Sequence, residues 1–141
     1  MADRFPYAKL AHYPHLMPAD VEIWERFIEA VPDAYDSVEY DVKVGNAPEF
    51  VEREEVEMHR AQRPLYQRKI DVVGFKGDQI DIIEIGPRAG TNKIGQVVGY
   101  RVLYVRDFAP SVTPKAIVLT DDTTDDVLDV AKAQEVFIMV V

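Results

Sequence analysis

The chain has 141 residues, a formal net charge of −9 and no cysteine. That length suits one domain with a sizeable core, and the lack of cysteine excludes disulfides, thiolate catalysis and cysteine-held zinc. The negative balance disfavours general affinity for nucleic acid, but Arg60, Arg63, Arg68, Lys69, Arg88, Lys93 and Arg101 leave room for a local basic groove. No apolar run approaches a membrane span and the N-terminus lacks a basic-then-apolar pattern, so secretion by a signal peptide is not expected.

Pro6, Pro14 and Pro18 prevent a regular helix over residues 1–19, which read as an extended N-terminal arm. Its aromatics Phe5, Tyr7 and Tyr13 need a surface to cover, either on the domain over 20–141 or on a neighbouring chain. His12 and His15 lie three apart with no third ligand in sight, and read as surface or packing residues rather than a metal site. Val21, Trp24, Phe27, Ile28 and Val31 form the stripe of an amphipathic helix over 19–31, with Asp20 as its N-cap and Glu22, Glu25 and Glu29 in solvent.

Val38, Tyr40, Val42 and Val44 alternate with charged residues as a half-buried strand. Residues 47–64 show no clean period and read as a solvated connection with room for one short helix. Two apolar strands follow, Ile70 to Phe75 and Ile80 to Ile85, joined by Lys76-Gly77-Asp78 as an antiparallel hairpin. After a loop at Pro87, Gly90 and Asn92, a helix from Thr91 to Val105 presents Ile94, Val97, Val98, Val102 and Leu103 to the sheet.

Lys115 to Thr120 is a short β-branched strand. Asp121, Asp122, Asp125 and Asp126 open the last helix, where the helix dipole favours carboxylates; they lack the spacing and central glycine of a calcium loop. Val136 to Val141 is wholly apolar, which suits a strand inside a sheet or one covered by a partner. The order of elements predicts an α/β (α+β) fold, a mixed sheet flanked by helices.

Arg68-Lys-Ile-Asp-Val-Val73, Ile82-Ile-Glu-Ile-Gly86 and Gly95-Gln-Val-Val-Gly-Tyr100 resemble the motifs of the PD-(D/E)XK, or restriction-endonuclease-like, nuclease superfamily. The resemblance covers most of the chain beyond the arm and implies an αβββαβ core with a closing helix and strand. It also implies that Asp71 and Glu84 hold a divalent metal, usually Mg2+. The family's lysine, two positions after the second carboxylate, is replaced here by Gly86. Lys69, Arg88 and Lys93 are the cations that could stand in; Lys69 shares the face of Asp71 if the strand alternates regularly. Gln96 and Tyr100, four apart on one helix face, match a pair that lines the active site in some members.

Three functional expectations follow. The leading one is a nuclease-fold protein with an incomplete site, a pseudo-nuclease serving as a structural or binding component of a larger assembly. A phage virion component, contacting other protein chains through the N-terminal arm, is one concrete version, with a cytoplasmic or virion setting. The second is an active Mg2+-dependent deoxyribonuclease with a relocated lysine, in which Asp71, Glu84, Lys69 or Lys93, Gln96 and Tyr100 form the site. The third is a DNA-binding module without chemistry.

Overall fold

A computed structural model describes residues 3–46 and 68–141. The connection expected over 47–64, with Arg60 and Arg63, lies outside the described residues. Six strands, β1 (Arg4–Pro6), β2 (Ser37–Val44), β3 (Arg68–Lys76), β4 (Gln79–Ile85), β5 (Lys115–Thr120) and β6 (Val136–Val140), form one sheet in sequence order. The pairs from β1 to β4 are antiparallel, while β4–β5 and β5–β6 are parallel. The switch follows from the connections. A two-residue turn at Gly77-Asp78, with Gly77 at φ +55°, can only reverse the chain, whereas a helix crossover returns it in the same direction.

Three helices flank the sheet. The first, α1 (Pro18–Ala30), buries Ile23, Trp24, Phe27 and Ile28 on one face, against Val38, Tyr40, Val72, Ile83 and Leu119. On the other face lie α2 (Thr91–Phe108) and α3 (Asp125–Ala133), whose Ile94, Val97, Tyr104, Val127 and Ala131 cover Val73, Ile82, Ala116 and Val118. Val102 faces solvent, against expectation. The buried row of α2 passes through Arg101 and Tyr104, and Val102 falls one residue to the side. The expected acidic opening of the last helix holds in outline: Thr124 caps α3, and Asp125 and Asp126 occupy its first turn.

The N-terminal segment is not a free arm. Arg4–Pro6 pairs with the edge of β2, and Tyr7 packs edge-on against Trp24 and Tyr35 and donates to the Val31 carbonyl at 2.6 Å. Tyr13 is buried and donates to Glu25 at 2.7 Å. The aromatics that could have covered a neighbouring chain cover this domain's own core instead. Likewise β6, expected inside the sheet or covered, stands at its open edge.

Regular alternation fails at one level of the sheet. Val38 and Tyr40 pack on the α1 face, but Val42 and Val44 pack on the opposite one. In β3, Ile70 and Val73 share a face while Val72 takes the other. Both strands change face at Asp41 and Asp71, which stand at the same level between the pairs Tyr40↔Val72 and Val42↔Ile70. Asp41 adopts φ +54°, a left-handed conformation that accounts for the turn of β2.

At the far end of the hairpin, Gly74 makes room for a buried contact. A Cβ there would stand 2.6 Å from the Tyr35 ring, whose hydroxyl donates to Asp81 at 2.6 Å. Gly74→Ala is expected to displace Tyr35 and lower stability by about 2–3 kcal/mol, read as a fall in the urea midpoint at unchanged slope. An unchanged midpoint would show that Tyr35 shifts without loss.

Candidate active site

Asp71 and Glu84 face one another across β3 and β4, where the regular ladder has stopped. Backbone pairing runs from Lys76↔Gln79 to Val72↔Ile83. One step further, side chains take over. The Asp71 amide donates to Glu84 Oε2 at 2.9 Å, and the Ile85 amide donates to Asp71 Oδ2 at 2.9 Å. Each carboxylate spends one oxygen on a backbone amide and keeps the other, Oδ1 or Oε1, for something else.

Lys93 supplies the nearby cation. It sits in the first turn of α2, where the dipole disfavours positive charge, and its Nζ lies 3.9 Å from Glu84 Oε1. Its chain runs over Gly86: a Cβ on that glycine would come within 2.9 Å of Lys93 Cε and 3.6 Å of Nζ. The missing side chain at 86 is therefore the space through which Lys93 reaches the carboxylates. The loop between is pinned to β5. Gly86 N donates to Leu119 O at 3.1 Å, Ala89 N to Thr120 Oγ1 at 3.0 Å and Arg88 N to Asp121 Oδ1 at 2.7 Å.

Burial sets the electrostatics. It pushes both Asp71 and Glu84 above the usual carboxylate range, and the charge on Asp71 raises Glu84 further. The two carboxyls therefore titrate as a pair, above the ordinary carboxylate range. The amide bonds and Lys93 oppose these shifts on both residues. Burial likewise raises Tyr100, helped by the charges of Glu84 and Asp71 and opposed by Arg68, so its hydroxyl stays protonated beside them as a donor.

Asp20 belongs to the same group of charges. It is not the N-cap of α1, a position that falls to Met17, but lies in the first turn. Burial raises its pKa, Lys93 lowers it, and its own charge raises both Asp71 and Glu84. Sequence reasoning missed this role because a carboxylate in a first helical turn has a sufficient local explanation.

The other candidates stand apart. Lys69 is opposite Lys43 in the β2–β3 register, and the break in alternation at Asp71 removes the argument that they share a face. Gln96 is exposed on α2, and Arg88 is exposed in the loop. His15 Nε2 lies 3.3 Å from Asp41 Oδ2, while His12 is exposed. Among the described residues, no three histidine or carboxylate side chains already stand close enough together to enclose a metal ion. The two unengaged oxygens of Asp71 and Glu84 still fit a cation such as Mg2+, which takes one or two carboxylates and completes its shell with water and substrate oxygen. Among the described residues, no helix is long and apolar enough to cross a membrane.

No protein-family model matches the chain, and no curated protein matches it in sequence. Solved structures do. A repair endonuclease from Pyrococcus abyssi is similar over 93% of this chain and 49% of its own, at 13% identity and a TM-score of 0.53. An EndoMS–dsDNA complex is similar over 95% of this chain and 48% of its own, at 11% identity and a TM-score of 0.52. The chain thus spans about half the length of these structures. At this level of identity the likeness is one of fold: among the described residues, a mixed six-stranded sheet flanked by three helices, shared with these solved structures.

Proposed function

We propose that the chain is a divalent-metal-dependent deoxyribonuclease whose lysine has moved from the strand to the following helix. The observation that carries this reading is the path of Lys93 over Gly86 to within 3.9 Å of Glu84 Oε1. A lysine on residue 86 would enter the same space, so the two positions are alternative sources of one ammonium. Asp71 Oδ1 and Glu84 Oε1 would hold the metal, and the charge of Asp20 would add to the negative field that attracts it. Bound there, a divalent cation offsets the charge of a phosphodiester and lowers the pKa of the attacking water.

The chain's own groups have distinct tasks. Lys93 orients the attacking water and balances negative charge as the phosphate accumulates it. Tyr100 donates a hydrogen bond towards a phosphate oxygen. Asp71 and Glu84, both raised by burial, are the pair whose full ionisation metal binding must drive. Lys43, Arg68 and Lys69 crowd the neighbouring ends of β2 and β3 and give an otherwise acidic protein a local seat for a DNA backbone. DNA is the favoured substrate because both structural neighbours are DNA-related by name, one a repair endonuclease and one a dsDNA complex.

A catalytically incomplete component of an assembly, such as a virion, has less behind it. Lys93 offers an ammonium for the vacant lysine position, and Tyr7 and Tyr13 pack within the chain, although the acidic balance agrees with an assembly role as well.

Cleavage of DNA with Mg2+ or Mn2+ is expected, and Asp71→Ala and Glu84→Ala should each abolish it. Lys93→Ala should lower kcat by roughly 100-fold, the order seen when one transition-state donor is removed. Adding Gly86→Lys to Lys93→Ala should recover much of that loss. Absence of cleavage with every divalent metal tried would overturn the proposal, and failure of the lysine swap would overturn the role of Lys93.

Stability offers a second check. Asp71 and Glu84 have folded-state pKa values above their unfolded ones, so the folded state binds more protons and the metal-free protein loses stability as pH rises. The loss begins at the ordinary carboxylate range, continues through neutral pH and is complete once both groups ionise. Glu84→Gln should remove most of this slope and raise the metal-free Tm at pH 8 relative to the parent. A parent and variant with parallel pH–Tm curves would show that Glu84 is not buried as described.

A further inference from the structure

The sheet has two edges, and they are built differently. β1 is three residues long, carries Arg4 and ends in Pro6, which are devices that discourage pairing with another strand. β6, Val-Phe-Ile-Met-Val, has no charge and no proline, and bonds only β5 among the described strands. Phe137 and Val140 are more than half exposed, at 55% and 52%. An apolar strand with an open row of amides and carbonyls presents a template that another extended segment can complete.

A cleft runs beside this edge. It has a volume of about 710 Å³ and lies between α3 and the start of β5 and β6. Leu128 lines its helix side, and Phe137 and Ile138, neighbours on β6, line the other, so the cleft meets the strand itself and not one face alone. Its charge contrasts with the rest of the molecule. Arg101, Lys115 and Lys132 line it against a single carboxylate, Glu135, in a chain whose net charge is −9. Arg101 is held in place by the carbonyls of Glu135 and Gln134, at 3.0 and 3.3 Å, and Lys115 stands over the Phe137 ring at 5.8 Å.

This cleft is remote from the carboxylates. Lys115 pairs in register with Asp81, three residues before Glu84, or roughly 10 Å along β4. Arg101 is eight residues beyond Lys93, or about 12 Å along α2.

We propose that β6 and this cleft dock an extended acidic segment of a partner protein, which adds a seventh strand to the sheet. Backbone hydrogen bonds to β6 supply affinity. Alternate apolar side chains of the segment enter the cleft beside Leu128, Phe137 and Ile138, and its Asp or Glu residues meet Lys115 and Lys132. Charge complementarity selects this occupant over a second copy of the chain paired edge to edge, whose own β6 carries no carboxylate to meet Lys115 and Lys132. The assignment is independent of nuclease chemistry.

The test is selection of a displayed library of random nine-residue segments on the whole chain, followed by binding of the selected synthetic segments. Enriched segments should alternate apolar residues with at least one Asp or Glu. Binding should slow deuterium exchange at the β6 amides that do not bond β5. The Lys115→Glu/Lys132→Glu variant should weaken binding by at least about tenfold, as expected for the loss of two exposed charge pairs. The proposal is overturned if no segment is enriched, if enriched segments lack acidic residues, if they bind the charge-reversed variant equally well, or if the β6 amides gain no protection. It is also overturned if sedimentation shows a dimer of the free chain that covers the same amides.

Discussion

Two hydrogen bonds between side chain and main chain hold the candidate site open: Asp71 N to Glu84 Oε2 and Ile85 N to Asp71 Oδ2. In a regular antiparallel pair those amides would bond carbonyls across the ladder, and the two side chains would lie on the faces of a closed sheet. Here the carboxylates have inserted themselves into the ladder. The amides remain satisfied, so no unpaired donor is left in the interior, yet the strands are free to part. The same bonds fix both carboxylates in orientation. What remains is one oxygen on each without a backbone partner, Glu84 Oε1 facing Lys93.

Such an arrangement is unfavourable on its own. Two buried carboxylates repel, and desolvation raises the pKa of each. The surrounding structure tolerates them because the strain is confined to one level of the sheet. Below it the ladders from β2 to β4 run in regular register, and the loop after β4 is tied to β5 at Leu119 and Thr120. A lysine in the first turn of a helix is also misplaced by the helix dipole. Local misfits that offset one another across three elements are the usual mark of a site built for charge that arrives from outside.

The parts of this fold that were legible in sequence are those ruled by period and punctuation. Apolar alternation located β2 to β5, the three- and four-residue stripe located α1 and α2, and Gly77-Asp78 located the hairpin. Illegible were the features that depend on where elements meet. Nothing local distinguishes Asp20 from an ordinary first-turn carboxylate. Alternation also misled at Asp71 and in the placement of Lys69, because β2 and β3 both change face at the level of Asp41 and Asp71, a break that no local pattern announces. Gly86 read as a deletion from a motif. Only in three dimensions does it become the clearance that Lys93 needs.

The helix lysine also bears on how such a site can change without losing function. A lysine at the strand position reaches the carboxylates along the sheet, and one at the third residue of the next helix reaches them from above it. The two would compete for one space, since a Cβ at residue 86 already stands 2.9 Å from Lys93 Cε. The crowded atom is the far part of a flexible side chain, so the conflict is cheap to relieve, and a chain holding both lysines remains a plausible fold. Loss of either one then leaves the other to settle into the site. Gly86 is the residue that favours the helix lysine most, because it removes the competing side chain. The pairing of a small residue at 86 with a lysine at 93 is thus a single structural choice made at two positions.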